Sequence, residues 1–432
     1  MKRFVYLTSM FLFVVSCQDK IQEQYKVLSP VYMSYSDLRK SVNTVKNKNE
    51  LVNTGKIYYW NKYLFINEQG LGVHIIDNNN PAQPVFKTFI NIPGNVDISI
   101  KDGILYADSY IDLVAIDISN LNDIKEVKRI DSIFTYTVPP VDENIKLLYD
   151  EIDPKKGVVT SFKIRTVEKD YVSYQRIYYP YYDYVNYDKT DNVYIANNQG
   201  SSNATNGTSI GVGGSTARIS IAGNALYAIN NSSTLFIFDI SSVENFVKRN
   251  ELFTSWVIET LFPYKDKLFI GSQGGMITYD ITDPFQPSNE STFWHTTSCD
   301  PVVVEDNYAY VTLRNGTRCR SNSSVNRLDI INISNFYNPV LVKSYDMTNP
   351  HGLGIDNKIL FICDGDAGLK IYDATDVTKL NDHLLATYPE NKAVDVIPID
   401  GVLLMIGEKG LYQYDYSNIS DIKLLSKIEI TK

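Results

Sequence analysis

Apolar residues recur along this chain in short runs that close on a single polar residue. The run VHIID ends at Asp77, LVAID at Asp117, LFIFD at Asp239, MITYD at Asp280, LDIIN at Asn332, LKIYD at Asp373 and LYQYD at Asp415. Subtracting neighbouring positions gives steps of 40, 122, 41, 52, 41 and 42 residues. Four of the six steps lie near 41, and the two long ones are read as insertions. Upstream of each marker stand two further apolar runs around a polar turn, such as Lys101-Asp102-Gly103 in NVDISIKDGILYADS or Ala222-Gly223-Asn224 in ARISIAGNALYAINN. KIYYWNKYLFINEQ from Lys56 is the first, shortened copy. Alternation with period 2 around Asp-Gly or Gly-Asn predicts hairpins. Downstream of each marker comes a fourth strand that is polar and lysine-bearing, as in Val340–Lys343 and Lys423–Lys427, a composition that discourages edge pairing. Four short strands per repeat predict an all-β fold, a seven-bladed β-propeller of four-stranded blades about 41 residues long. Blades 1 and 2 are expected over 55–135. An inserted β-hairpin and a flexible Gly/Ser/Asn loop are expected over 136–213, between blades 2 and 3, and blades 3–7 over 214–432.

Ile277–Pro287 reads Ile-Thr-Tyr-Asp-Ile-Thr-Asp-Pro-Phe-Gln-Pro. This resembles the LVIVD repeat. The resemblance extends over most of residues 55–430 and implies a β-propeller, of the lipidated kind found in Bacteroidetes. It brings no catalytic residues with it. Two copies depart from the pattern: Asp117 is followed by Ile-Ser-Asn-Leu, and Asn332 replaces Asp.

The N-terminus has another character. Met1-Lys2-Arg3 precedes an apolar run, Phe4 to Val15, and Ser16 stands before Cys17. Residues 1–16 therefore read as a secretory signal, and Ser16-Cys17 resembles a bacterial lipobox in which Cys17 is acylated. Several acyl chains would hold the protein firmly to a bilayer. Residues 17–54 are expected as a tether and N-terminal segment, with Val31–Val42 ordered against the body. The expected location is the cell envelope, as an outer-membrane lipoprotein. Gln18 and Asp19 resemble a surface-export signal, which would expose it.

The formal net charge is −9, and no basic stripe of the kind nucleic acid requires is present. The expected partners are a membrane, through the lipid, and an envelope protein or glycan. The chain is expected as a monomer.

Candidate chemistry gathers where each blade's first strand begins. Those positions hold Lys56, Asp97, Arg218, Glu259, Asp300, His351 and Asp395, and a propeller would point them at the mouth of its central channel. Carboxylates with one imidazole would suit a divalent cation, and clustered carboxylates raise one another's pKa, as acid–base chemistry needs. The plainer reading is that channel positions are wet and therefore polar. No nucleophile elbow, P-loop or HExxH motif occurs. His74 reads as packing, and His295 and His383 lack obvious partners. Gly352 and Gly354 beside His351 leave room for a close approach. Cys299 and Cys319 are candidates for a disulfide in the secreted setting, and Cys363 for a buried free thiol. YYPYYDYVNYD from Tyr178 could supply rigid contact area or stack on sugar rings. These readings point to a non-catalytic binding or scaffold module for a protein or glycan. The competing reading is an envelope hydrolase or lyase, metal-dependent, with its site at the channel mouth.

Overall fold

The computed structural model describes residues 24–139, 145–168, 177–178, 197–198, 210–215, 217–231, 233–254, 257–295, 301–315 and 325–431. Every marker residue ends a third strand. The seven strands that carry them are Gly72–Asp77, Asp112–Asp117, Thr234–Asp239, Gly275–Asp280, Arg327–Asn332, Leu369–Asp373 and Gly410–Asp415. The reason is a turn built twice. Each marker's Oδ1 accepts the backbone N–H two residues on, at 2.8–3.0 Å, from Asn79, Ser119, Ser241, Thr282, Ser334, Thr375 and Ser417. Three residues after six of the markers a second Asx turn follows, as at Asp283 and Asn335, which reverses the chain. These bonds hold the marker carboxyls low. Asp77 is at about 2, through the Asn79 N–H and then Lys87, and Asp280 at about 2, through Lys267 and then Thr282.

The predicted hairpin turns are also present. Asn61-Lys62, Asp102-Gly103, Asn357-Lys358 and Asp400-Gly401 have positive φ at both positions, which matches the strand twist. The residue after each marker then donates to the carbonyl in this turn, as Ile118 does to Gly103 and Tyr416 to Gly401, both at 2.9 Å. The fourth strand bulges against the third, for example at Ile75/Ile76, Ile237/Phe238 and Gln413/Tyr414. The bulge leaves Lys87 and Arg249 opposite no partner and re-aims them, so that Lys87 meets Asp77 at 2.9 Å and Arg249 meets Asp239 at 2.7 Å.

Among the described residues, six four-stranded antiparallel sheets follow chain order. A further meander, Thr54–Asn91, lies inside a seven-stranded sheet. First strands of successive meanders neighbour one another, in the manner of a β-propeller. Each sheet buries both faces against its neighbours, so the core is divided into clusters shared by consecutive sheets. Val73 and Ile75 meet Ile98 and Leu105. Leu113 and Ala115 meet Ile219 and Phe238. Ile57 and Ile66 meet Leu404 and Ile406, joining the first meander to the last. Part of the tyrosine content is explained here. Tyr227 donates to the Pro284 carbonyl and Tyr345 to that of Val377, each at 2.7 Å and each into the next sheet.

Two expectations are corrected. The segment read as a tether is structured from Gln24 onward. The Gln24–Met33 strand runs antiparallel along Val158–Glu168 and parallel to Lys146–Leu148. The Tyr35–Leu38 turn of helix follows, capped by Ser34, and Asn43–Val45 extends the first meander at its outer edge. Among the described residues, the Val158–Glu168 strand of the insertion pairs with this distant N-terminal strand and with no strand of the insertion itself. Val212–Gly214, expected in a flexible loop, instead pairs with Tyr58 and Tyr59 and with Asn197-Asn198. Cys17, Cys299, Asp300, Cys319 and most of the Tyr-rich stretch lie outside the described residues. Cys363 is a buried free thiol, its pKa pushed up by burial.

Candidate ligand-binding site

Among the described residues, those at the starts of the first strands do not share one open focus. Asp97, Arg218 and Asp395 all come within electrostatic reach of Lys56. Lys56 Nζ lies 3.4 Å from Asp97 Oδ2, with both side chains buried. The same oxygen accepts the backbone N–H groups of Arg218 at 2.6 Å and Ile219 at 2.9 Å, while Oδ1 accepts that of Ile98 at 2.8 Å. Asp97 therefore splices the third sheet to the second, and the Lys56 ammonium sits where a metal would bind it. Burial lowers the Lys56 pKa, against the pull of Asp97. Glu259 accepts from Gln273 Nε2 at 3.0 Å. His351 turns its Nε2 to Asn349 Nδ2 at 3.3 Å and to Arg314 at 3.5 Å. Burial, then Arg314, drives its pKa well below the usual histidine value, so the imidazole is neutral. Among the described residues no three His, Cys, Asp or Glu side chains gather as a metal site would require.

The space between the first strands is taken by the insertion. Val212–Gly214 adds to the inner edge of the first meander, and Asn197-Asn198 with it reaches the first strands of the fourth sheet and the last. Ser215, next in the chain, donates from its N–H and Oγ to Asp395 Oδ1 at 3.4 and 3.5 Å, and its Oγ accepts the Leu353 N–H at 2.9 Å. Gly352 completes this junction. A Cβ there would fall 2.0 Å from Asp395 Oδ1 and 3.0 Å from Ser215 Oγ. Asp395 is fully buried and cannot swing out to water. Gly352→Ala is accordingly expected to cost about 1–3 kcal/mol by overpacking, read as a lowered urea midpoint with unchanged slope.

Beside this filled centre lies a cavity of about 600 Å³. Its floor is the ends of the first three sheets, including Gly70, Gly94, Asp97, Asp108, Tyr110, Arg218 and Asn230. Its roof comes from the segments misread in sequence: Met33 and Asn43 from the N-terminal arm, Thr135, Thr137 and Pro139 from the chain leaving the second sheet, and Thr160 from the insertion. Three ties hold the roof down. Asn91 Nδ2 donates to the Ser41 carbonyl at 2.7 Å, and the Thr135 N–H donates to Asn230 Oδ1 at 2.8 Å. The buried Asp112 carboxylate takes Arg39 at 3.2 Å, Arg129 at 3.1 Å and the Ser132 N–H at 2.7 Å.

Asp108 and Tyr110 give the floor its chemistry. Asp108 Oδ1 accepts three donors at 2.9 Å: the N–H groups of Val96 and Asp97, and Asn95 Nδ2. Oδ2 makes no hydrogen bond within the described residues. Burial pushes the carboxyl up to about 6, with Asp97 adding to the rise and the backbone donors and Arg218 opposing it. Tyr110 turns the chain between Ile104–Ser109 and Asp112–Asp117 with φ +54°, a left-handed conformation that costs a bulky residue roughly 1–2 kcal/mol. Gly94 makes room for it, since a Cβ there would lie 2.5 Å from the Tyr110 ring. Burial raises the phenol to about 12, so it stays a neutral donor.

Of the residues singled out in sequence, Asp97 and Arg218 reach this cavity. Asp108 and Tyr110 did not stand out. One signal was available: strand-end carboxylates recur at Glu68, Asp108 and Asp364, and each accepts backbone N–H groups from the loop before a first strand.

No curated protein matches the sequence. Among solved structures, the chain is similar in fold to the computationally designed Ika8 protein, with TM-score 0.51 and 7% identity over 90% of each chain. It also aligns with BamB from Moraxella catarrhalis, with TM-score 0.45 and 10% identity over 94% of this chain and 92% of that one. KlHsv2 with loop 6CD replaced by a Gly-Ser linker aligns with TM-score 0.47 and 10% identity over 88% of this chain and 100% of that one. The LVIVD repeat matches residues 213–244 and 322–347, and these span the third strands that end at Asp239 and Asn332, so this is a chain that carries LVIVD repeats.

Proposed function

We propose that the chain is a lipid-anchored, seven-bladed β-propeller of the cell envelope. It acts as a non-catalytic binding module and takes a protein segment or a glycan in the cavity over its first three sheets. The observation that carries this reading is the cavity itself. Its volume of about 600 Å³ falls within the roughly 300–1,000 Å³ of small-ligand sites. Its floor stands on strand ends whose polar groups are already fixed, so little ordering cost remains at binding. The carboxylates nearest to it are tied to backbone N–H groups, an arrangement that favours recognition over acid–base turnover.

The test is native mass spectrometry of the protein against peptide and glycan fractions of the envelope. One fraction is expected to yield a stoichiometric adduct, and Thr137→Trp, which fills the cavity from its roof, is expected to abolish it while leaving the fold intact. An adduct that survives Thr137→Trp, or none from either fraction, would reject the cavity as the binding site. In the producing cell, Cys17→Ser is expected to move the protein from the membrane to the soluble fraction.

A further inference from the structure

We propose that the cavity selects an uncharged, hydroxyl-bearing ligand the size of a di- or trisaccharide, with Asp108 accepting from a ligand hydroxyl and Tyr110 and Phe134 flanking a ring. This rests on the cavity being the binding site. The argument begins with charge. Asp97, Asp108 and Arg218 line the floor, and Lys56 backs Asp97 at 3.4 Å, so two carboxylates face two cations. An anionic ligand would meet Asp108, and a cationic one would meet Arg218 with Lys56 behind it. A hydroxyl can donate to the carboxylate and accept from the guanidinium at once, and so it fits both.

Direction comes next. Asp108 lines the cavity, and its Oδ1 is held by three donors, which fixes the carboxylate and keeps Oδ2 as a preset acceptor. A preset acceptor opposes little reorganisation and rewards a ligand donor more than a mobile one does. Apolar surface adjoins it. Phe134 is stacked on Phe236 with ring centroids 6.3 Å apart and planes 17° apart, so it is rigid where it lines the cavity. Tyr110 keeps a strained backbone and a matching Gly94. Strain retained in a cavity-lining turn is what a functional constraint leaves behind. The rest of the lining mixes amides and hydroxyls, Asn43, Gln69 and Thr137 among them, with aliphatic side chains such as Met33, Leu71 and Ile229. Neutral donors and acceptors beside aromatic faces suit a sugar ring better than an extended peptide, whose backbone would seek an open sheet edge.

Isothermal titration of the full chain with maltotriose, cellotriose, mannotriose and xylotriose tests this, with trigalacturonate and the glucosamine trimer as anionic and cationic counterparts. At least one neutral trisaccharide is expected to bind at least tenfold more tightly than either charged trimer. Asp108→Asn is expected to weaken that binding roughly tenfold to hundredfold, as loss of a charged acceptor does. Tyr110→Gly, which keeps the turn free of strain and so keeps the fold, is expected to weaken it at least tenfold. A charged trimer that binds best, neutral binding indifferent to both substitutions, or no neutral binding at all overturns the ligand class. If a peptide adduct then still disappears in Thr137→Trp, the cavity stands as a binding site and only the class is wrong. If no adduct forms with any fraction, both readings fall.

Discussion

Asp108→Asn should make the folded protein more stable at pH 7.5, by about 2–3 kcal/mol. The carboxyl titrates near 6 in the folded chain against an ordinary value of 3.8, and each unit of difference corresponds to about 1.4 kcal/mol. The sign follows from proton uptake. The raised folded pKa means that the native state binds the proton more tightly than the unfolded chain does. Ionising Asp108 therefore opposes folding. The penalty is complete above pH 6, shrinks as the pH falls through the interval between 6 and 3.8, and is gone below it. Asn keeps an oxygen for the Val96, Asp97 and Asn95 donors and carries no charge. The charged groups acting on this site are Asp97, which raises the pKa, and Arg218, which lowers it. Urea unfolding of both proteins at pH 7.5 and pH 4.0 is the measurement. A gain confined to the higher pH is expected. An equal difference at both pH values, or a loss at pH 7.5, would show that burial does not set this carboxyl's proton. A side chain that lowers stability at working pH, next to a tyrosine in a strained turn, is the pattern expected where function is maintained at the expense of stability.

The repeat was legible in sequence because its cause is local. A marker such as Asp280 bonds an amide two residues away, its turn closes within the motif, and apolar alternation extends only a few residues on either side. The same logic failed where partners are remote. Nothing near Gln24–Met33 announces that it pairs with Val158–Glu168, and nothing near Val212 announces a place beside Tyr59. Val212–Gly214 is glycine-rich enough to read as a linker, and Gln24–Met33 is flanked by polar stretches with which it reads as one tether. The candidate site was half legible for the same reason. Asp97 and Arg218 stand out by alignment of the copies, but the cavity exists only because the N-terminal arm and the insertion roof it. The six axial groups were expected to point into shared solvent. Among the described residues, Asp97 is instead held by backbone amides and Glu259 by Gln273, and the insertion reaches the first strands between which they would have met.

Leu404→Ala should cost about 2–5 kcal/mol, as much as Leu268→Ala in a meander flanked by neighbours on both sides. Leu404 belongs to the last meander, yet its buried cluster includes Ile57, Leu64, Ile66 and Ile76 of the first. The seam has polar fastenings as well. Asn78 and Gln413 exchange side-chain hydrogen bonds at 2.9 and 2.7 Å, and the Thr431 N–H donates to the Leu51 carbonyl at 2.7 Å. In an open row of sheets, position 404 would lie on an end face and truncation would cost little. End units would also melt before central ones, because each repeat then depends only on its neighbours. A closed seam gives every meander two partners and links the chain ends into one transition. The discriminating measurement is a double-mutant cycle of Leu404→Ala with Ile66→Ala, followed by urea unfolding. A coupling of roughly 0.5–3 kcal/mol and a single transition are expected from closure. Additive losses, or an early separate transition of the Val402–Glu429 strands, would mean that the seam is open and that the first and last sheets stand independently.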